Sequence, residues 1–259
     1  MSAVILCGGL GTRLREETEF KPKPMVDIGG KPILWHIMKT YAAFGVSKFI
    51  LCLGYRGEVI RQYFRNYALD QGNIKVNLRS NTVTFLDRGD IEDWEVTLVD
   101  TGALTMTGGR LLQASKYIEG DSFFLTYGDG VADIDINALW SFHKSHGMGA
   151  TVTGVHPSSR FGEIDESGGR VVGFREKPQT DDGWINGGFF VMDKAVLNGF
   201  EYRSDSVLEN DILPVLAKQH RLGIYKHGGF WQCMDTYREM QLLNAMCENQ
   251  TPPWLAVGS

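Results

Sequence analysis

Five apolar residues, Ala3-Val4-Ile5-Leu6-Cys7, run without a break into Gly8-Gly9-Leu10-Gly11-Thr12-Arg13-Leu14. An uninterrupted apolar run suits a central strand buried on both faces, which is the habit of a parallel sheet. Glycines at the end of such a strand let the backbone turn and leave bare N–H groups open to a ligand. Clustered amides of this kind form an anion-binding nest. Arg13, and Lys23 within Lys21-Pro22-Lys23-Pro24-Met25, add fixed positive charge. The stretch therefore reads as a phosphate cradle at the carboxyl end of the first strand. Two familiar loops fail to match it. A P-loop needs Gly-Lys-Ser/Thr at the start of a helix, but Gly30-Lys31 is followed by Pro32. A dinucleotide fingerprint beginning at Gly9-Leu10-Gly11 meets Leu14 where its third glycine belongs, which argues against a nicotinamide-dependent oxidoreductase.

The rest of the chain supports a parallel sheet. Ile33, Leu34, Ile37, Met38, Tyr41 and Ala42 recur at helical spacing between Pro32 and Gly45. Lys48 to Leu53 reads as a second buried strand, and Val59 to Tyr67 as a second helix. This alternation predicts parallel strands joined by helices. Residues 68–100 break the rhythm and predict one further strand plus a hairpin over an edge of the sheet. Thr101-Gly102 and Thr107-Gly108-Gly109-Arg110 bracket a second glycine-rich turn, followed by a helix from Leu111 to Ile118 and a buried strand from Ser122 to Tyr127. A helix from Leu139 to His146 and a strand from Ala150 to Val155 follow. Beyond Pro157 the segments are shorter: a hairpin around Gly168-Gly169 and a strand from Trp184 to Met192. A helix over 205–219 capped by Asp205, a strand from Leu222 to Lys226 and a last helix from Tyr237 to Cys247 complete the pattern. The expected class is α/β: a Rossmann-like, mixed, mostly parallel sheet flanked by helices, with a small β-rich part, all in one domain over 1–259.

Composition narrows the function. A net charge of −5 argues against a general nucleic-acid binder, yet allows a local basic pocket for a phosphorylated small molecule. Cys7, Cys52, Cys233 and Cys247 show neither a Cys-x-x-Cys pair nor metal spacing, and the first two read as buried reduced thiols. The early apolar run is too short for a signal peptide, and no run approaches the roughly 20 residues that span a bilayer. The expectation is a cytoplasmic protein with no membrane partner.

Several residues carry candidate chemistry. Asp129, between Gly128 and Gly130 at the end of an apolar strand, is either a Mg2+ ligand at the ligand-binding edge of the sheet or a turn former. Asp235 is either a second ligand or the cap of the last helix. Asn186-Gly187-Gly188 inside a buried strand implies close approach of a sugar hydroxyl or a tight bulge. Lys177, in Glu176-Lys177-Pro178, is either a phosphate ligand or a solvated lysine. His143 and His146 read as surface histidines; Tyr127 and Trp231 are the aromatics placed near a ligand.

Taken together, the opening glycine loop, Lys21-Pro22-Lys23-Pro24, Gly128-Asp129, Glu176-Lys177-Pro178, Asn186-Gly187-Gly188 and Asp235 resemble the sugar-1-phosphate nucleotidylyltransferases, in order and over essentially the whole chain. Thr107 to Leu111, Gly128-Asp129-Gly130 in place of the usual Gly-Asp-Asn, Asn186-Gly187-Gly188 in place of Asn-Ala-Gly, and Phe230-Trp231-Gln232 resemble the branch that uses CTP and α-D-glucose 1-phosphate. The resemblance implies that residues 1–155 mainly bind nucleotide, and that 156–259 mainly bind sugar phosphate and end in the C-terminal helix. It implies Leu6, Gly8, Gly9, Gly11, Thr12, Arg13, Lys23, Thr101, Gly102, Arg110 and Gly128 for the nucleotide. Tyr127, Glu176, Lys177, Asn186, Gly187 and Trp231 would serve the sugar phosphate. Asp129 and Asp235 would hold Mg2+, and Arg13, Lys23 and Asp129 would be catalytic. Uridylyl or thymidylyl transfer, and a non-catalytic nucleotide-sugar-binding homologue, are the alternatives. The family commonly assembles, so a homo-oligomer is expected, with residues 85–98 and the Pro-Pro-Trp tail as contact surfaces.

Overall fold

A computed structural model of the chain describes residues 1–9, 11–157, 163–167, 170–175 and 183–258. Seven strands form its main sheet: β1 (Ser2–Leu6), β2 (Lys48–Leu53), β3 (Glu95–Asp100), β4 (Ser122–Tyr127), β5 (Ala150–Val155), β6 (Ile185–Asp193) and β7 (Leu222–Lys226). Their spatial order is β7-β5-β6-β4-β1-β2-β3. The strand that opens the chain lies in the interior of the sheet, paired in parallel with β2 and β4. All five of its residues are buried because Ala3 and Ile5 face one apolar layer while Val4 and Leu6 face the other. The first layer is covered by the helix Ile33–Ala42, which contributes Ile33, Leu34, Ile37, Met38 and Tyr41. The second is covered by the helices Thr107–Ala114 and Leu213–Lys218.

One reversal of direction matters for the site. β6 runs antiparallel to both β4 and β5. Its amino end, carrying Asn186 and Gly187, therefore reaches the same edge as the carboxyl ends of β1 and β4. The residues between β2 and β3 supply the hairpin Ile74–Asn77 with Thr82–Phe85, and β3 joins the sheet edge, as the broken rhythm of that region suggested. The hairpin of Glu163–Ser167 with Arg170–Arg175 also forms. Among the described residues no helix is long and apolar enough to cross a membrane.

Several local expectations are corrected. The helix expected from Leu111 to Ile118 starts four residues earlier, as Thr107–Ala114. Its glycines answer to tertiary contact: a Cβ on Gly108 would meet Ser206 Oγ at 2.7 Å, and one on Gly109 the Arg203 carbonyl at 2.6 Å. The helix expected over 205–219 begins later, as a π turn, Leu208–Ile212, followed by Leu213–Lys218. Pro214 has no N–H to give the Asn210 carbonyl, so the α ladder cannot extend back through that point. Asp205 caps nothing there; it pairs with Arg203 Nε at 3.1 Å. His143 is buried rather than exposed, held by Thr151 Oγ1 at 2.9 Å and Asp193 Oδ1 at 3.2 Å.

The Pro-Pro-Trp tail is part of the core and not a free surface. Trp254 is fully buried, stacked on Phe230 and edge-on to His36. Removing a ring so enclosed costs on the order of 3–5 kcal/mol. The Trp254 indole N–H donates to His36 Nδ1 at 3.1 Å, so His36 Nε2 carries the proton and donates to the Ile28 carbonyl at 2.7 Å. A second proton on this ring would face a donor. Burial accordingly holds the His36 pKa below its ordinary value. Stability from neutral His36 is thus complete above the unfolded pKa, about 6.5, and is lost as pH falls through it toward the folded value. Urea unfolding should show a lower midpoint at pH 5.5 than at pH 7.5. His36→Gln, which keeps a donor and an acceptor but does not titrate, should narrow that difference; an unchanged difference would remove His36 from the account.

Candidate active site

The glycines that open the chain have separate structural reasons. Gly8 has no room for a Cβ because the Arg110 guanidinium occupies that space, and Gly54 meets the same group. Gly9 faces open space, and Gly11 sits at φ +62°. The 3-10 turn Thr12–Leu14 follows and projects Arg13 outward. Lys23 begins another 3-10 turn, Lys23–Met25, between Pro22 and Pro24. Pro24 packs against Gly128, where a Cβ would lie 2.8 Å from its ring and 3.0 Å from the Leu6 carbonyl. This seats the Lys-Pro turn directly on the turn that carries Asp129.

Asp235 arrives from the far end of the chain. Gly130–Ala132 pairs antiparallel with Trp231–Cys233, and Met234 N donates to the Asp129 carbonyl at 2.8 Å. The two aspartates are thereby held side by side. Asp235 is not the cap of the last helix. Thr236 takes that task in a capping box with Glu239, and Asp235 is left with its carboxylate free. That carboxylate bonds Lys23 Nζ through Oδ1 and Arg13 Nη1 through Oδ2, the latter at 2.7 Å. Asp129 Oδ2 meets the same Lys23 Nζ at 2.6 Å. Two cations and two carboxylates thus form one cluster. Burial alone would lower the Lys23 pKa, but Asp129 and Asp235 outweigh it and hold the ammonium above its ordinary value.

Two pockets share this cluster. The larger, about 450 Å³, is walled by Gly8, Gly9, Gly11 and Thr12 on one side and by Ala103 to Thr107 on the other. The smaller, about 240 Å³, is lined by Tyr127, Asn186, Gly187 and Trp231 among others. Arg13, Asp129 and Asp235 belong to both. In the smaller pocket Trp231 Nε1 donates to the Gly187 carbonyl at 2.8 Å, and Asn186 Nδ2 to Tyr127 Oη at 3.1 Å.

Other anticipated residues fall behind the walls. Leu6 and Gly128 support the turn under Pro24 and do not line the pockets, and Thr101 and Gly102 are not in the lining either. Glu176 and Lys177 lie outside the described residues. Arg110 borders the larger pocket, but its guanidinium is committed to the protein. Nη1 meets the Leu53 carbonyl at 2.9 Å, Thr101 Oγ1 at 2.7 Å and the Gly102 carbonyl at 2.9 Å. Nη2 meets the carbonyls of Gly8 at 2.9 Å and Ala103 at 3.3 Å. Arg110 therefore ties the loops after β1, β2 and β3 into one wall. The segment Ala103 to Thr107, which completes that wall, carries no local pattern that would have announced it.

The donor set suits Mg2+. Asp129 and Asp235 converge on one cation, Lys23, so their oxygens already point at a common locus. Among the described residues no third His, Cys, Asp or Glu joins them in a metal-binding group. Two carboxylates completed by phosphate oxygens and water are a usual Mg2+ arrangement.

Residues 2–246 match the nucleotidyl transferase family. The chain belongs to that family. It is 49% identical to a glucose-1-phosphate cytidylyltransferase of Salmonella typhi over 98% of both chains. It is 44% identical to a probable glucose-1-phosphate cytidylyltransferase of Bacillus subtilis over 98% of this chain and 99% of that one. In architecture it resembles a crystal structure of a putative glucose-1-phosphate thymidylyltransferase from Bacillus anthracis in complex with a sucrose, with TM-score 0.70, 98% coverage of both chains and 17% identity. The fold of this nucleotidyl transferase is thus the mostly parallel α/β sheet anticipated from its sequence.

Replacing Arg110 by Lys should test the wall. A lysine keeps the charge but cannot reach five acceptors from a planar fork. Buried carbonyls left unpaired should cost about 2–3 kcal/mol in urea unfolding. A variant as stable as the parent would show that the wall stands without the guanidinium.

Proposed function

We propose that the chain transfers a cytidylyl group from CTP to α-D-glucose 1-phosphate, releasing pyrophosphate and CDP-glucose. The observation that carries this reading is the meeting of two pockets at one charged cluster, in a chain nearly half identical to a glucose-1-phosphate cytidylyltransferase along its whole length. The larger pocket takes the nucleotide, with bare amides around Gly9 and Gly11 for the phosphates and the 103–107 wall for the base. The smaller takes the sugar, with Asn186 and Gly187 toward its hydroxyls. The reacting phosphates meet where the pockets join.

In this reading an oxygen of the sugar phosphate attacks the α-phosphorus in line. The new P–O bond forms as the bond to the β-phosphate oxygen breaks, and pyrophosphate leaves with that electron pair. Such transfer needs positioning and charge neutralisation more than covalent help. Lys23 swings from the aspartates to the α-phosphate, and Arg13 stays with the leaving pyrophosphate. Mg2+, held by Asp129 and Asp235, would supply charge neutralisation for the nucleotide phosphates.

Incubation with α-D-glucose 1-phosphate and Mg2+ against CTP, UTP, dTTP, ATP and GTP, scoring pyrophosphate, tests the reading directly. CTP should react fastest. Faster release from UTP or dTTP would reassign the base, and none from any nucleotide would reject transfer. Lys23→Met should lower kcat by about 100-fold or more while moving KM for CTP far less, because its contribution is concentrated in the transition state. Steady-state kinetics with an unaltered kcat would take Lys23 out of the reaction. Asp129→Asn should raise the Mg2+ concentration needed for half-maximal rate; an identical titration would count against ligation.

A further inference from the structure

Glu209 lines neither pocket, yet it is bonded to the walls of both. It lies in the π turn Leu208–Ile212, which leads into the helix Leu213–Lys218. One carboxylate oxygen, Oε1, accepts from the Tyr127 hydroxyl. The other, Oε2, accepts from Thr107 Oγ1 at 2.8 Å. Tyr127 belongs to the smaller pocket and Thr107 to the larger.

The direction of every bond in this chain is fixed by its ends. Asn186 Oδ1 accepts from Gly188 N at 2.9 Å, so its Nδ2 faces Tyr127. The Tyr127 oxygen accepts there and must give its own proton to Glu209. On the other side, Thr107 Oγ1 accepts from Leu208 N at 2.9 Å and must likewise give its proton to Glu209. Two hydroxyl donors converge on one carboxylate, each taking one of its two oxygens as acceptor. The Tyr127 ring is also confined, lying over Gly188, where a Cβ would meet it at 2.7 Å, and edge-on to Phe190.

We propose that Glu209 is a positioning residue that sets the spacing between the two substrate pockets. It fixes Asn186 through Tyr127 on the sugar side and the end of the 103–107 wall through Thr107 on the nucleotide side. This rests on the reading of the two pockets given above. A ligand that occupies one pocket tolerates a small change in their spacing; one that spans both does not, and neither does a reaction across their boundary. An isosteric amide breaks the chain, because it presents one acceptor and one donor where two acceptors are required.

Calorimetric titration of the intact protein with CTP and with CDP-glucose, each with Mg2+, separates these cases. Glu209→Gln should weaken CDP-glucose at least tenfold and leave CTP within about twofold. Its kcat should fall with KM for CTP little changed. Tyr127→Phe, which severs the same chain from the other side, should give the same selective loss, and the double variant should be no worse than either single one. Equal weakening of both ligands would indicate a general structural role, and no weakening of either would indicate none; both overturn the proposal, as does an additive double variant. Should Glu209→Gln not fold, Tyr127→Phe carries the same selective prediction and the same refutation. Wild-type protein that binds no CDP-glucose would overturn the reading of the pockets and this inference with it. Wild-type binding matched by both variants would overturn the inference alone.

Discussion

The site depends on the ammonium of Lys23, bonded at once to Asp129 and Asp235. Two carboxylates brought together on a sheet edge repel each other, and each loses hydration as the pocket closes around it. Lys23 cancels that charge from inside the fold and Arg13 from the solvent side. The cluster therefore costs the fold little, although its four members come from an N-terminal loop, a Lys-Pro turn, a strand end and the approach to the last helix. Each backbone segment is fixed by something other than charge. Pro24 rests on Gly128, Met234 bonds the Asp129 carbonyl, and Thr236 takes the cap that would otherwise have claimed Asp235.

The sheet explains why one edge can serve two substrates. Parallel strands β1 and β4 deliver loops from their carboxyl ends, as open α/β sheets do. A purely parallel sheet would offer only such loops. Because β6 runs the other way, its amino end, Asn186 to Gly188, is presented beside them, at the point where its pairing with β5 shifts register. The larger pocket is walled mainly by loops, and the smaller has the amino end of β6 as one of its walls. Glu209 bridges the two kinds of wall.

How much of this was legible in the sequence follows from where each signal originates. β2, β4 and β5 begin and end where the sequence predicts, because nearly every residue in them is buried. Gly108 and Gly109 hid the first turn of their helix because the reason for them is packing against Ser206 and Arg203, nearly a hundred positions away. Asp235 could be cap or ligand until Thr236 was seen to fill the cap. Arg110 was visible as a cation near the site, but not as one already surrounded by backbone carbonyls. Glu209 gave no local sign, since its partners are 82 and 102 residues distant.

The charge balance of the cluster also bears on how substrate can enter. With Lys23 and Arg13 present, Asp129 and Asp235 show an incoming polyphosphate no net negative charge. Without them, two bare carboxylates would repel it, and the repulsion would be strong in a pocket only partly wetted. On the proposed reading, a metal ion alone would have to compete with two built-in cations for Asp129 and Asp235. A triphosphate would offer Lys23 and Arg13 new partners in exchange for the aspartates, which would then be free to hold Mg2+. The exchange conserves ion pairs instead of breaking them. On the proposed reading, a lysine held between these two carboxylates suits a site that assembles around nucleotide and metal together.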